Sequence, residues 1–291
     1  MNNKRLSQKI YNELLWLMPK SFTHKYIYKL IEQKELNLND PVNFNEKLHY
    51  LMVYKFGKKE AKLADKIEVK KYIENKHINN LYVPKTFKVY SDANEIILDE
   101  LPNKFVLKCN HGSGNVEICT DKKNFDLENA KKVLKKTLKT NYAKKFFEYH
   151  YKYIKPYIFA EEYLSDNKNK NPIDYKIYCK KGKAQSILVC SQRDTGLKLN
   201  EYDLNWNELD LLKKEYKGNV KLPKPKKLTQ MIKIAEKISK EFPFVRVDLY
   251  EINEKIYFGE LTFTPAGGFC YYYDNASLMQ HARLININDY E

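Results

Sequence analysis

An α+β fold with mainly antiparallel sheets is predicted by three observations. Strands that alternate apolar and polar residues come in pairs joined by short turns, at Asp174–Cys179 with Ala184–Cys190 and at Phe244–Tyr250 with Lys255–Leu261. The intervening helices carry one apolar stripe each, as a helix that covers a sheet does. A further apolar strand, Phe105–Val106–Leu107, runs through Lys108 straight into a glycine loop.

Taken in order, residues 1–60 read as helices with apolar positions Ile10, Leu14, Leu17, Tyr26 and Leu30 at helical spacing, broken by Pro19 and Pro41. A helix over Asp65–Lys76 leads into a loop at Leu81–Pro84 and a short strand at Thr86–Tyr90. The lysine strand, the glycine loop and a strand at Val116–Cys119 follow. A lysine-rich helix over Leu127–Tyr142 buries Ala130, Val133, Leu134 and Leu138. Tyr157–Leu164 is a strand ending in acids, and Ser165–Pro172 is a polar turn. Lys181–Gly182–Lys183 joins the next two strands as a hairpin. Residues 200–227 are polar and punctuated by Gly218, Pro223 and Pro225, so they read as a surface excursion. A helix over Leu228–Lys240 precedes the last hairpin, whose turn falls at Asn253–Glu254.

Composition excludes several classes. With 291 residues and 43% hydrophobic content the chain can bury a sizeable core. The net charge of +15 arises from lysines spread along the whole chain and not from one block, so no nucleic-acid partner is expected; a basic face still suits an anionic polymer, a nucleotide or a membrane surface. Five cysteines without a C-x-x-C pair exclude a disulfide framework and structural zinc. The run Leu14–Met18 is too short to cross a bilayer, which predicts a cytoplasmic protein, with peripheral attachment through the N-terminal helices as the alternative. The oligomeric state leaves no sequence signal.

Two segments carry chemistry. In the first, Lys108 puts a point charge where Gly112 and Gly114 let backbone N–H groups approach an anion, with His111 and Ser113 in the same loop. The lysine precedes the glycines, so this is not a Walker A loop. In the second, Arg246 and Asp248 share one face of a strand, and Glu260, Thr262 and Thr264 share one face of the next. Asp248 and Glu260 are hard oxygen donors of the kind Mg²⁺ takes beside phosphates, and Arg246 can neutralise a phosphate. A solvated hairpin face is the plainer alternative, and the apolar neighbours argue against it.

The order of these elements resembles the ATP-grasp superfamily. Phe44–Lys47, Asp65–Lys66, Lys104–Gly114, Ala160–Leu164 and Asp174–Tyr–Lys176 resemble its TupA-like branch, which is associated with teichuronopeptide and capsular polysaccharide synthesis. The resemblance covers about residues 40–270. It implies an N-terminal helical extension (1–60), a reduced segment before the grasp (61–100) and an ATP-grasp domain (101–291) whose two α+β subdomains, about 101–165 and 172–275, clasp ATP. It further implies a carboxylate–amine ligase that uses ATP and Mg²⁺ and passes through an acyl phosphate.

In that frame Lys108 resembles the lysine on the nucleotide phosphates, His111 to Asn115 the flap over them, and Lys66 or Lys70 a second phosphate lysine. Glu161, Glu162, Tyr163 and Leu164 resemble the adenine hinge, and Asp174 with Lys176 an Asp-x-Arg pattern near the triphosphate. Arg193 is placed to steady the acyl phosphate. Asp248, Glu260 and Thr262 resemble the magnesium ligands, with threonine where many relatives carry asparagine. Tyr271–Tyr273 reads as packing, or as a wall for a sugar. The implied partners are a hexuronic acid of a glycan or of its nucleotide- or lipid-linked precursor, an amino acid or small amine, and the capsule-synthesis machinery at the membrane. A sugar kinase on the same fold, a glycosyltransferase and a non-catalytic anionic-glycan module are the alternatives.

Overall fold

The computed structural model describes residues 11–165, 172–191 and 198–290, and within them two antiparallel sheets face one another. The smaller sheet has the order β2-β5-β3-β4, from Thr86–Tyr90 (β2), Phe105–Cys109 (β3), Glu117–Cys119 (β4) and Ile158–Glu162 (β5). The larger has the order β1-β11-β10-β6-β7-β8-β9. Its strands are Leu81–Tyr82 (β1), Asp174–Lys180 (β6), Lys183–Ser191 (β7), Lys198–Tyr202 (β8), Glu208–Leu209 (β9), Phe244–Ile252 (β10) and Lys255–Thr262 (β11). Only the short β1–β11 pair is parallel. The segment between the N-terminal helices and the lysine strand therefore gives one strand to each sheet.

Both predicted hairpins form. Asn253 and Glu254 take positive φ angles of 50° and 60°, the type I′ geometry whose twist matches that of the flanking strands. Lys181 and Gly182 do the same at the other hairpin. Helix α5 (Leu127–Leu138) lays Ala130 and Leu134 on the small sheet and ends four residues earlier than its periodicity predicts, because Asn141 caps a separate short helix, α6 (Tyr142–Phe146). Helix α7 (Leu228–Ser239) covers the large sheet with Met231, Ile234, Ala235 and Ile238.

In the N-terminal region, α1 spans Lys20–Glu32 and α2 spans Phe44–Tyr54, which a capping box of Asn43 and Glu46 starts. Phe44, Leu48, Leu51 and Met52 of α2 are buried in the core of the large sheet. The predicted helix over Asp65–Lys76 is broken at its start: α3 (Lys58–Ala64) ends at Asp65, whose carboxylate accepts from the N–H groups of Ile67 (2.8 Å) and Glu68, and α4 runs only over Glu68–Glu74. Helix α8, Asn275–His281, is followed by two short 3-10 turns at Ala282–Leu284 and Ile287–Asp289.

Residues 200–227 are not a surface excursion. They extend the large sheet through β8 and β9 and bury Tyr202 and Trp206, stacked at 4.1 Å. Glu201 is fully buried there, taking bonds from Ser186 (2.7 Å) and Tyr273 (2.7 Å) and pairing with His281 (2.9 Å).

Candidate functional site

The strand register of the large sheet assembles a row of charges. β6, β10 and β11 lie side by side, and the pairings Lys176↔Asp248 and Asp248↔Glu260 put Lys176, Asp248 and Glu260 in one line across three strands. Residues directly opposite share a face, so the next row brings Arg246 beside Thr262. Arg246 forks onto Asp248, with Nε to Oδ1 at 2.7 Å and Nη2 to Oδ2 at 2.7 Å, and Nη2 also donates to Glu260 (3.2 Å) and Thr262 (2.9 Å). Lys176 binds Asp174 (2.7 Å) and Asp248 (2.5 Å), and Thr262 donates to Glu260 at 2.8 Å. Arg246 and Asp248 are 6% and 1% exposed, which removes the solvated-hairpin alternative.

Electrostatics follows from the packing. Burial acts to raise the Glu260 carboxyl, but Lys66, Lys176 and Arg246 outweigh it and hold it down at about 2. Burial of Arg246 opposes its charge, and Asp248 keeps it ionised well above its ordinary range. Asp248 spends both oxygens on Arg246 and Lys176, whereas the Glu260 side chain is 38% open and has one oxygen to spare from its described bonds. The donor set therefore fits a magnesium ion held chiefly by substrate oxygens, with Glu260 the ready protein ligand and Asp248 reachable only if it gives up Lys176. Among the described residues no three His, Cys, Asp or Glu side chains gather into a metal cluster.

The small sheet answers with ammonium groups. Lys108 and Lys70 converge on Glu161, which Lys108 contacts through Oε1 and Lys70 through Oε2 at 2.6 Å. Both ammoniums sit over the Phe159 ring, at 5.4 and 5.2 Å. Burial works to raise Glu161, and the two lysines lower it instead. The two lysines differ in freedom. Lys70 is 9% exposed and also donates to Pro84 O (2.8 Å) and Thr86 (3.0 Å), so it is a strut; Lys108 is 23% exposed and faces the gap between the sheets.

Lys66 stands between the halves and donates to the carbonyl of Gly112 in the glycine loop. Gly112 needs its identity twice: φ is 136°, and a Cβ would lie 2.4 Å from the Tyr142 ring. Asn110 anchors the loop's base, donating to Asp65 (2.8 Å) and Lys155 O (3.0 Å) and accepting from the Tyr157 N–H (2.7 Å).

Between the sheets lies a cavity of about 350 Å³ lined by Lys66, Lys108, Ser113, Gly114, Glu161 to Leu164, Asp174, Lys176, Asp248 and Glu260, with Val106, Ile118 and Phe258 as apolar wall. A larger, more open cleft of about 1120 Å³ lies behind α4, but it contains neither Lys108 nor Asp248 and Glu260.

Most residues picked from sequence thus meet in one place. Some do not. The His111 imidazole turns away to Thr140 O (3.1 Å) and Arg193 falls outside the described residues, while Glu162 lines the cavity but has its N–H taken by Lys85 O (2.9 Å). Tyr272 and Tyr273 are core, and Tyr271 packs on Tyr216 at 5.2 Å; none of the three lines the cavity. Sequence reasoning missed Glu148. It is 4% exposed, accepts from the Thr264 hydroxyl, and feels the charges of Lys66 and Glu260 without itself lining the cavity. Burial pushes its carboxyl up to about 7. A lone acid inside the aromatic run Phe146–Phe–Glu–Tyr–His–Tyr151 was the available signal.

Comparison with known families decides the assignment, because residues 46–278 match the TupA-like ATPgrasp family. The chain belongs to the TupA-like ATP-grasp family. Among solved structures it is similar to D-alanine–D-alanine ligase from Bacillus anthracis complexed with ATP, at 17% identity and TM-score 0.44, covering 76% of this chain and 61% of that one. D-alanyl-alanine synthetase A from Vibrio cholerae follows at 11% identity and TM-score 0.42, covering 93% and 70%. Phosphoribosylamine–glycine ligase from Thermotoga maritima is matched at 16% identity and TM-score 0.38, over 71% and 50%. The chain thus spans about three fifths of the length of the first of these ligases. No curated protein matches it.

Proposed function

We propose that this ATP-grasp protein is an ATP- and Mg²⁺-dependent carboxylate–amine ligase, and that it joins a hexuronic acid of a cell-surface glycan or its precursor to an amino acid or other small amine. The observation that carries the reading is the division of the cavity into an ammonium side and a carboxylate side facing a glycine loop. Phosphoryl transfer needs positioning and charge neutralisation more than covalent help from the protein.

In this reading Lys108, Lys66 and the N–H groups of the Ser113–Gly114 turn hold the phosphates, and the wall of Val106, Ile118 and Phe258 faces the base near Glu162 and Leu164. Glu260 and Asp248 would hold magnesium, which supplies charge neutralisation between the phosphates. Arg246 orients both carboxylates. Lys176 lines the cavity beside Asp248 and, released from that carboxylate, can meet a phosphate oxygen. The substrate carboxylate attacks the terminal phosphorus and ADP leaves. The amine nitrogen then attacks the acyl carbon, the C–N bond forms and the C–O bond to phosphate breaks. The amine enters as its ammonium form: Glu148 takes the proton that frees the nitrogen lone pair, and the departing phosphate takes the proton lost as the amide forms. The glycan and the amine come from the family's association and not from this chain's cavity; its assignment to capsule synthesis stands on the same footing.

The test is ATP turnover by the purified protein with Mg²⁺ and glucuronic or galacturonic acid, with and without a pool of amines, read by mass spectrometry. Amine-dependent phosphate release with an amide mass gain is the expected result. Hydroxylamine should trap the acyl phosphate as a hydroxamate. A phosphate mass gain on the sugar without amine would establish a kinase and overturn the ligase.

A further inference from the structure

A helix packed on a globular body buries one face and leaves the other polar. The N-terminal helices break that pattern. Their inner face is already used: Leu15 and Ile27 pack with Phe147 and Tyr149, Trp16 stacks on Tyr149 at 4.8 Å, Thr23 donates to Leu15 O at 2.7 Å, and His24 contacts Phe147 O at 3.2 Å. The helices are therefore fixed in orientation, yet their outer face is apolar as well. Leu14 is 60% exposed, Leu17 81%, Phe22 47% and Leu30 57%, with Met18, Tyr26 and Ile31 beside them. Seven of the nineteen large apolar side chains exposed among the described residues fall within residues 14–31, so this is a patch and not scatter.

The charges on the patch are of one sign on α1. Its outward positions read Phe22, Lys25, Tyr26, Lys29 and Leu30, with no carboxylate among them; Lys29 reaches Glu35 past the helix end at 2.5 Å. Lys145, exposed beside Phe146, adds a further ammonium. Aromatic and aliphatic side chains interleaved with lysines match the boundary of an anionic bilayer, where rings and alkyl groups enter the headgroup region and ammoniums meet phosphates.

We propose that the outer face of residues 14–31 is a membrane-docking surface that rests on an anionic lipid bilayer. The patch is continuous with an apolar groove of about 680 Å³ between α1 and the segments at Phe146–Phe147 and Ala266–Phe269. Gly267 lies in that groove, and its Cβ position is 4.0 Å from Glu148 Oε2. This surface is independent of the ligase reading and stands or falls without it.

The test is co-sedimentation of the full chain with vesicles of phosphatidylglycerol and phosphatidylcholine against vesicles of phosphatidylcholine alone. Binding to the anionic vesicles that weakens with salt is expected, and Leu14→Glu/Leu17→Glu should weaken it about tenfold with unchanged melting temperature and ATP turnover. Lys25→Glu/Lys29→Glu should weaken it as well. No sedimentation with anionic vesicles overturns the proposal. So does a Leu14→Glu/Leu17→Glu protein that sediments like its parent, since the +15 charge alone would then explain binding. A dimer in analytical ultracentrifugation that the same variant dissociates, without vesicle binding, would give the face to a second copy of the chain and overturn it too.

Discussion

The two sheets face one cavity with opposite charge balances. On the side of the small sheet Lys70 of α4 and Lys108 share the single carboxylate of Glu161; on the large sheet Asp174, Asp248 and Glu260 bond to Lys176 and Arg246, and Lys66 stands between the two sets. The first half keeps ammonium charge in excess and the second keeps carboxylate in excess. Each set also bonds to itself, so its charges are held in ion pairs that ligands can recruit by exchange. A symmetrical distribution would repel either the phosphates or the metal. This division also separates residues that stabilise from residues that react: within each set one member is sealed (Lys70, Asp248) and one is open (Lys108, Glu260).

The strongest way to break the comparison is at Glu260. Glu260→Gln keeps shape and its bond to Thr262 but removes the open negative charge. Metal-dependent ATP turnover should fall about a thousandfold, roughly 4 kcal/mol of transition-state stabilisation, with a smaller loss of stability than at the sealed Asp248, because the Glu260 side chain is 38% exposed and solvent screens its charge. Asp248→Asn should be as inactive but also less stable by about 3 kcal/mol, because it leaves the sealed Arg246 charge without its partner. Equal melting temperatures for the two variants would show that the sealed-and-open distinction is empty.

Glu148 lies where the halves meet, and its pH behaviour has a fixed sign. Its carboxyl is raised by burial from about 4.5 to about 7, so the folded state holds a proton that the unfolded chain has released between those pH values. Its contribution to stability is thus greatest below about pH 4.5, falls as pH rises toward 7 and is constant above; the span is about 3 kcal/mol. Glu260, held down at about 2, works in the opposite sense and costs stability only on acidification below about 4.5. The difference in unfolding free energy between the parent and Glu148→Gln isolates the first slope. A difference that is flat from pH 4.5 to 7 would mean that Glu148 is not desolvated as described. In the proposed reaction the same variant should lose amide formation while still yielding hydroxamate with hydroxylamine.

Lys108 and Lys70 sharpen the comparison on the small sheet. Lys108→Met should raise the KM for ATP about thirtyfold, near 2 kcal/mol, and leave the melting temperature almost unchanged, since Glu161 keeps Lys70. Lys70→Met should do the reverse, because three acceptors lose a buried donor. Interchangeable phenotypes would count against the assignment of Lys70 as a strut.

What the sequence revealed and what it concealed follow one rule. The β10–β11 hairpin was legible because polar residues at period two stood out from apolar strands and a two-residue turn fixed the register. Lys108 was legible for the same reason. Tyr202 and Trp206 were not, since the strand that ends at Tyr202 carries Glu201, whose burial makes sense only once Ser186, Tyr273 and His281 arrive from elsewhere in the chain. Glu148 was invisible for a similar reason: its hydroxyl partner Thr264 lies 116 residues away. The separate duties of Lys66 and Lys70 were equally hidden, because both sit near the start of one short helix and only the fold sends one to the glycine loop and the other to Glu161.

The smallest expected effect tests the finest point of the carboxylate side. Thr262 accepts from Arg246 Nη2 and donates to Glu260, so its one hydroxyl proton is spent on orienting the open carboxylate. If that is its role, Thr262→Val, of nearly equal volume, should raise the Mg²⁺ concentration needed for half-maximal turnover by about fivefold, near 1 kcal/mol, through a Glu260 that is no longer held. Thr262→Asn should bring no gain, because the amide disturbs the same pair of bonds. A direct metal ligand would behave differently: the asparagine carbonyl is a better oxygen donor than a hydroxyl, and Thr262→Asn would then lower the Mg²⁺ requirement below that of the parent. The sign of that one change separates a residue that aims a ligand from a residue that is one.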